Sequence, residues 1–428
     1  MSRKYRKQDP KSSRFVSRDE ECLQMQFNRA QLMQMMQDGM HSLALELGRI
    51  VAVGILEDEV TQLCGSSHRR NPERQQVRHG YDPGWITLGS QKVPIERPRV
   101  RSVKDRGEVR LHNYPQLQQS NQMADSVLRR MVRGVSCRDY EQVVDTARAG
   151  FGIKRSSVSR AFKRSQTVKV RQFCQRRWDN VRFAVIYVDG KAYARQQMVA
   201  ALGITADGRK YILGLRQGTT ENAEVCKDLL TDLTARGVAP DKMTLFVLDG
   251  AKALAAAVKR VWGEYAEVQR CQLHKQRNIQ SYLAKEYWGE LSARLNRAWQ
   301  DTDYDAALRQ LEQTAQWLEG INPDAASSLR EGMAETLTVV RLGVPKLLRQ
   351  TLSSTNAIDS AFSIAERVTG RVTRWRRGDM RWRWCAAGLQ LAESKFHRVL
   401  GYKQIPQLIA ALDRTAREKG LDRKTEVA

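Results

Sequence analysis

Two short apolar runs, each followed by Asp-Gly, constrain the fold of this chain more than any other feature. Residues 183–188 lead into Asp189, and residues 244–248 lead into Asp249. Runs rich in β-branched and aromatic residues predict strands that are buried on both faces. An Asp-Gly pair can simply be the turn that closes a strand. Two such endings favour a site, because carboxylates beside a core need a cationic partner, most simply a divalent metal.

The elements predicted after residue 181 follow the order of a known sheet topology. Strand-like and helical stretches are found at residues 183–188, 197–206, 210–216, 221–236, 244–249, 251–261 and 268–270. Three antiparallel strands, a helix, a strand, a helix and a strand is the order of a ribonuclease H-like core. In that fold the first and fourth strands lie side by side, so we expect Asp189 and Asp249 to meet. The predicted fold class is therefore α/β.

The charge of the chain indicates its partner. The 428 residues include 72 Lys and Arg against 47 Asp and Glu, a formal net charge of +25. Such an excess favours a polyanionic partner, most simply nucleic acid. The alternative is an anionic membrane surface, but no apolar run approaches the length of about 18 residues that predicts a spanning helix. Seven scattered cysteines predict a reducing compartment. We expect a cytoplasmic, nucleoid-associated protein that binds no membrane.

Changes in composition and in predicted secondary structure divide the chain into six predicted regions. They are an N-terminal helical region (1–80), a small β unit (81–125), a helix-turn-helix region (126–180), the first part of a catalytic core (181–285), a helical insertion (286–352), and the last part of the core with a basic C-terminal region (353–428). In the small β unit, short β runs are split by Gly and Pro, with basic residues at 98–101. This unit is either a DNA contact or a connector with a solvated charged face.

Residues 126–165 have the pattern of a helix-turn-helix. Val127, Leu128, Met131 and Val132 share one helical face, and Gly134 then interrupts the helix. A second helix is predicted after Ser136, and a basic helix follows two further glycines. A glycine turn followed by a basic helix favours a recognition helix for the major groove, although a helical hairpin with solvated charges has the same pattern. The predicted DNA-binding residues here are Arg155, Ser157, Arg160, Lys163 and Arg164.

Helical sequence interrupts the core before a third acid appears. Trp288, Leu291, Leu295 and Trp299 recur at helical spacing and predict the core of an inserted subdomain. The catalytic core resumes in a helix that carries Asp359. Residues 371–384 then contain six arginines and three tryptophans, which suit phosphate binding and base stacking. The predicted DNA contacts are Arg374, Trp375 and Arg376; the alternative is an amphipathic helix that buries its tryptophans.

These motifs, in this order, resemble the mutator-type transposases of bacterial insertion sequences. The resemblance covers roughly residues 80–410 and is carried by residues 187–190, 248–250, 270–275, 354–360, 374–376 and 383–384. It implies a ribonuclease H-like core with a helical insertion and three acids, Asp, Asp and Glu. It also implies cleavage and strand transfer of DNA with two Mg²⁺ or Mn²⁺ ions. The expected partners are terminal inverted repeats and target DNA, bound by a homo-oligomer.

Carried over by position, the catalytic and metal-binding residues are Asp189, Asp249 and Asp359. The third departs from the family, which has Glu there, and Asp reaches roughly 1.5 Å less far towards a metal. Glu366 is an alternative third ligand, but it lies two helical turns away, about 11 Å along the axis. We expect Asp359 to be the ligand. Its shorter reach leaves open a second hypothesis, a catalytically impaired DNA-binding protein of transposase descent, and a third, a nuclease without strand transfer.

Cys271 and His274 form a Cys-x-x-His motif that has two interpretations. A structural zinc site would require four ligands, and no second pair has suitable spacing. In the family that the sequence resembles, this motif recurs close to the active site. We therefore expect Cys271 and His274 to support the active site and not to bind zinc.

Overall fold

The computed structural model describes residues 16–17, 23–24, 40–67, 74–88, 91–118, 121–135, 155–193, 196–218, 223–370, 372, 374–375 and 378–421. The chain divides into two compact units, Met1–Ser165 and Gln166–Ala428. Within the described ranges, no helix is both long enough and apolar enough to cross a membrane.

The first unit is built around a small antiparallel sheet. Its elements are the short paired strands β1 (Val16–Ser17) and β2 (Leu23–Gln24), helix α1 (Met40–Cys64), strands β3 (Gln76–Leu88), β4 (Gln91–Ser102) and β5 (Glu108–Val109), and helices α2 (Asn113–Gln118) and α3 (Asn121–Val132). Strands β3 and β4 pair as an antiparallel hairpin and form the predicted small β unit, which starts earlier than the predicted residue 81. Leu56 of α1 packs with Ile86, Val93 and Val100 of the sheet in one core.

The helix-turn-helix prediction is only partly covered by the described residues. The predicted apolar face of the first helix is buried in α3, at Val127, Leu128, Met131 and Val132. The predicted turn and middle helix fall on residues 136–154, which lie outside the described residues. The following basic helix, α4, runs from Arg155 to Gln175. The arrangement of the three helices therefore stays a prediction.

The second unit contains a mixed five-stranded sheet with the predicted neighbours. Its strands are β6 (Phe183–Tyr193), β7 (Gln196–Thr205), β8 (Lys210–Gly218), β9 (Thr244–Leu248) and β10 (Ala266–Arg270), in the order β10-β9-β6-β7-β8. Strands β6, β7 and β8 pair antiparallel, whereas β9 is parallel to both β6 and β10. The first and fourth strands are therefore adjacent, as their sequence order predicted.

One detail of the predicted strands is wrong. Asp189 does not end its strand, because β6 continues to Tyr193. The reason is that β7 pairs with β6 over its whole length, from Phe183 to Tyr193. On the other side, the pairing of β9 with β6 stops at Val188. Asp189 is thus held by strand pairing on one side and lies where the opposite neighbour ends.

Helices cover both faces of this sheet, which explains the continuous apolar runs. On one face, α5 (Ala223–Ala235) and α6 (Lys252–Trp262) pack against Ile186, Val188, Phe246 and Leu248. On the other face, α13 (Asn356–Thr369), α14 (Met380–Glu393) and α15 (Ile405–Glu418) pack against Val185, Tyr187, Leu245 and Val247. Side chains alternate along a strand, so Asp189 and Asp249 belong to the face that α13 covers.

Helix α7 (Gln272–Gln280) follows β10, and the predicted helical insertion (286–352) comes after it. The helices of the insertion are α8 (Trp288–Gln300), α9 (Tyr304–Glu319), α10 (Pro323–Arg330), α11 (Thr338–Arg341) and α12 (Lys346–Leu352). Short 3₁₀ turns occur at Gly263–Tyr265, Lys285–Tyr287, Ala334–Leu337 and Tyr402–Gln404. Leu291, Leu295 and Trp299 are buried in a separate core, as their spacing predicted, whereas Trp288 is 37% exposed.

Candidate active site

Strand register places the first two predicted acids next to each other. Val188 of β6 is opposite Leu248 of β9, so Asp189 and Asp249 are the next residues on two adjacent parallel strands, which are spaced by about 4.8 Å. Asp189 is 4% exposed, and its Oδ1 accepts a hydrogen bond from the Gly190 amide at 2.9 Å. Asp249 Oδ1 accepts one from the Ala251 amide at 2.8 Å. Local backbone amides therefore orient both carboxyl groups.

The third predicted acid, Asp359, joins these two from the first turn of α13. Burial, followed by the charges of Asp359 and Asp249, raises the pKa of Asp189 to about 8. Only carboxylates close to one another repel in this way, so the three acids share one neighbourhood. Glu366, the alternative third acid, lies further along α13 and pairs with Lys191 at 3.1 Å. The structure therefore brings Asp359 into the cluster and gives Glu366 a different partner.

Cys271 and His274 lie beside this cluster and are joined to it by Thr355. The Cys271 sulfur caps α7 by accepting from the His274 amide at 3.5 Å, and it also accepts from the Thr355 amide at 3.4 Å. The Thr355 hydroxyl is 3.2 Å from His274 Nδ1 and 3.2 Å from Asp359 Oδ2. Sequence reasoning identified Cys271 and His274 but missed Thr355, whose position immediately before an acid-bearing helix was the available signal.

The charges of the Cys-x-x-His pair complement each other. Burial alone would raise the pKa of the Cys271 thiol, but hydrogen bonds from His274 and Thr355 lower it overall. The pKa of His274 is raised to about 9 by its hydrogen bond to Cys271, against the effect of burial, with further contributions from Asp189 and Asp359. A cationic imidazole is therefore stabilised next to the acids.

The donor set can be tested against the metals that the sequence suggested. Three Asp carboxylates supply the hard oxygen ligands that Mg²⁺ and Mn²⁺ prefer. However, in the described part of the chain, no three His, Cys, Asp or Glu side chains are arranged closely enough to hold a metal ion as they stand. The chemistry of the donors fits, and the carboxyl groups would have to draw together to bind.

A second buried group of charges supports the strand end at Asp249. Arg270 is 6% exposed, and it donates from Nη1 to the Glu331 carbonyl at 2.9 Å and from Nη2 to the Glu331 carboxylate at 3.2 Å. Its guanidinium lies against Gly250, where an added Cβ would be 2.4 Å from Arg270 Nε. Lys275, which is fully buried, donates to the carbonyls of Ser328 and Glu331. In the sequence, Arg270 and Lys275 stand out only as neighbours of the Cys-x-x-His motif.

Arg270 and Lys275 are bonded to residues of the insertion and are not available to a ligand. Burial first, and then the charge of Arg270, lower the pKa of Lys275 to about 8, while the Glu331 charge opposes this shift. A cavity of about 170 Å³ lies beside Gly250, and its lining includes Lys252, Arg270, Glu331 and Glu335. Its opposite charges are paired, Lys252 with Glu331 at 3.5 Å and Arg270 with Glu331 at 3.2 Å.

The predicted DNA-binding residues are distributed over both units and stay predictions. On α4, Arg160, Lys163 and Arg164 are exposed, whereas the side chains of Arg155 and Ser157 lie outside the described part. Arg374 is exposed, and Arg376 lies outside the described residues. Trp375 is half-buried and packs edge-on against Tyr193, with 6.1 Å between ring centroids. One side of its ring is therefore used in packing.

The two other predicted nucleic-acid surfaces are partly used in internal contacts. Trp384 is buried, and Trp382 donates from Nε1 to the Leu215 carbonyl at 3.3 Å. These contacts favour the packing alternative for both tryptophans. In the small β unit, Arg97 and Arg99 form ion pairs with Asp82 and Glu108, which are acids of the same sheet. These pairs favour a structural role for this part of the basic segment.

Comparisons with known proteins agree with this combination of features. A family model described as "Transposase, Mutator family" matches residues 19–376. The chain is 28% identical over 327 residues to the transposase for insertion sequence element ISRM5 of Rhizobium meliloti (strain 1021), covering 73% of this chain and 78% of that protein. It is 24% identical over 314 residues to the transposase for IS1201 of Lactobacillus helveticus, covering 67% and 82%. It is also 24% identical over 316 residues to the transposase for IS1081 of Mycobacterium tuberculosis (strain ATCC 25618 / H37Rv), covering 70% and 72%.

Proposed function

Because the chain belongs to the Mutator family of transposases, we propose that it catalyses metal-dependent cleavage and strand transfer of the DNA of an insertion sequence. One observation carries the proposal: Asp189, Asp249 and Asp359 come together on one face of the sheet, although they lie far apart in the chain. DNA is the partner that this activity requires, and the net charge of +25 suits it.

The sheet supports a ribonuclease H-like assignment of the core. Its order β10-β9-β6-β7-β8 places three antiparallel strands beside two parallel ones, with helices on both faces. Asp189 lies on the central strand, and Asp249 follows its parallel neighbour. The helical insertion between β10 and α13 then returns the chain to the sheet with the third acid. We therefore assign a DDE-type arrangement in which Asp359 replaces Glu.

Asp189, Asp249 and Asp359 would together hold two Mg²⁺ or Mn²⁺ ions. When bound, such ions activate the attacking oxygen and stabilise the leaving oxygen of an in-line displacement at phosphorus. The protein's contribution is to hold the acids in place. Asp189 is fixed within a paired strand, Asp249 by the Ala251 amide, and Asp359 by the Thr355 hydroxyl.

The site has to exclude water around the acids and still be open to DNA on one side. Asp189 is almost fully buried, whereas Asp249 and Asp359 are half-buried, so the site opens on the side of these two acids. His274, which is half-buried, contributes positive charge near Asp189 and Asp359. In cleavage, water attacks the phosphodiester and the 3′-oxygen leaves as a 3′-hydroxyl end. In strand transfer, that 3′-hydroxyl attacks a phosphodiester of target DNA and displaces its 3′-oxygen, with the same acids serving both steps.

The experiment that tests the proposal separates cleavage from DNA binding. Asp189→Asn and Asp249→Asn should abolish cleavage of terminal-repeat DNA in Mg²⁺, because an amide does not supply the anionic oxygen. Binding to the same DNA, measured by gel shift, should persist. The matched control is Asp241→Asn, an exposed acid between α5 and β9, which should cut at the wild-type rate.

Three outcomes would contradict the proposal in different ways. Wild-type cleavage by either Asn variant would remove that residue from the active site. Absence of cleavage by the natural protein in both Mg²⁺ and Mn²⁺, with DNA binding retained, would leave a DNA-binding protein that does not cut. Cleavage of the DNA ends without their joining to target DNA would leave a nuclease.

A further inference from the structure

Thr355 stands at the start of α13 but does not serve that helix in the usual way. A Thr in this N-cap position commonly accepts a hydrogen bond from an amide of the first turn. Here the side chain makes no such capping bond. Thr355 is also fully buried, so water does not satisfy its hydroxyl. A buried hydroxyl that gives up its capping role must have other partners.

Those partners are the functional side chains of the site. The hydroxyl lies 3.2 Å from Asp359 Oδ2, 3.2 Å from His274 Nδ1 and 3.6 Å from the Cys271 sulfur. The hydroxyl has one proton to donate, and its contact with Asp359 Oδ2 is shorter than its contact with the Cys271 sulfur; the same oxygen can accept from His274 Nδ1. The Thr355 amide also donates to the Cys271 sulfur at 3.4 Å, which fixes the backbone at the same point. The start of α13 is thereby fixed to the start of α7.

The bond to Asp359 constrains a torsion that the chain itself leaves loose. The terminal torsion of an Asp side chain is broad, so covalent geometry does not orient its carboxyl plane. The hydrogen bond from the Thr355 hydroxyl to Oδ2 fixes that plane. This matters more for Asp359 than it would for Glu, because a shorter side chain has less freedom to correct a misdirected carboxylate.

We propose that Thr355 is a positioning residue whose hydroxyl holds the Asp359 carboxylate, through its links to His274 and Cys271, in the orientation that binds a divalent cation. The inference rests on the proposed function, since it assigns a role within the same metal site. Partners of metal ligands typically change metal affinity by about 10- to 100-fold when they are removed.

The test measures Mn²⁺ binding to the full chain without DNA, by the EPR signal of free Mn²⁺. Thr355→Val keeps the shape of the side chain and removes the hydroxyl, and it should weaken Mn²⁺ binding by about 10- to 100-fold. Thr355→Ala and Thr355→Ser differ only in the hydroxyl, and only the Ser variant should retain wild-type affinity. Thr314→Val is the matched control, because it removes a buried helical hydroxyl that bonds only within the insertion.

The outcomes separate this inference from the proposed function. If Asp189→Asn loses Mn²⁺ but Thr355→Val binds as the natural protein does, the metal site stands and the role of Thr355 is wrong. If Thr355→Ser binds as weakly as Thr355→Val, packing rather than the hydroxyl is responsible, and the inference fails. If the Val and Ala variants both fail to fold, as judged by circular dichroism, the hydroxyl is structural and the inference also fails. If Asp189→Asn binds as well as the natural protein, the proposed metal site itself is wrong.

Discussion

Replacing Gly250 with Ala tests whether the close packing behind Asp249 supports the active site. Gly250 has a φ of +102°, which a residue with a side chain rarely adopts. An added Cβ would lie 2.4 Å from Arg270 Nε, well inside van der Waals contact. The backbone strain costs about 1–3 kcal/mol, and forcing a buried neighbour aside costs about 1–3 kcal/mol more. We expect Gly250→Ala to lower the free energy of unfolding by about 2–6 kcal/mol.

Gly343→Ala is the matched control for this change. Gly343 also has a positive φ, +64°, but nothing lies within 4 Å of an added Cβ. It should therefore cost only the strain of about 1–3 kcal/mol. Both variants are measured by urea unfolding followed by tryptophan fluorescence, and by cleavage of terminal-repeat DNA at a temperature where both are folded.

Cleavage provides the second part of the test. Displacing Arg270 or moving the backbone at Gly250 shifts the adjacent Asp249, so Gly250→Ala should cut far more slowly than Gly343→Ala. If the two variants lose equal stability, the contact with Arg270 carries no energy. If Gly250→Ala is folded and cuts like the natural protein, the position of Asp249 does not depend on this packing.

Three further predictions follow from the site and the surface. In a cleavage assay, Asp359→Glu should restore the reach typical of the family and cut faster, whereas Asp359→Ala should be inactive. Glu366→Ala should still cut, because the ion pair of Glu366 with Lys191 is worth only about 0–1 kcal/mol. An inactive Glu366→Ala beside an active Asp359→Ala would make Glu366 the ligand. Arg160→Ala combined with Lys163→Ala should weaken DNA binding and reduce the salt slope by about one per lost phosphate contact; an unchanged slope in a binding titration would locate recognition elsewhere. Because the pKa of Lys275 is lowered in the fold, its charged form destabilises the protein. Relative to Lys275→Met, the natural protein should gain stability as pH rises from about 8 towards 10.5. Urea unfolding at a series of pH values measures this, and a difference in the free energy of unfolding between the two proteins that does not change with pH would contradict it.

Much of the site's framework could be predicted from local patterns. The strands around Asp189 and Asp249 follow from continuous apolar runs, and the helical insertion follows from the spacing of residues such as Leu291 and Leu295. The adjacency of β6 and β9 followed from the order of the elements, because few sheet topologies accommodate that order. The same order predicted that Asp189 and Asp249 meet, and the pairing of β6 with β9 confirms that they are neighbours.

Other features were not predictable from the sequence, because they depend on contacts between distant segments. Trp382 and Trp384 look like a stacking surface beside so many arginines, yet the fold buries Trp384 and bonds Trp382 to β8. Likewise, Arg97 and Arg99 appear free in the sequence, but a hairpin and a short third strand bring Asp82 and Glu108 to them. Charge along a sequence does not show which ion pairs the fold will form.

By itself, the sequence predicted the candidate residues of the site: two aspartates at apolar strands, a third on a helix, and a Cys-x-x-His motif. Residue type and local periodicity are properties of short segments, so they can be read without the fold. Only the tertiary structure decided that Thr355 joins that motif to Asp359, and that Gly250 must be small because Arg270 lies against it. Both relationships connect residues separated by a strand or by the whole insertion, and only packing sets the distance between them.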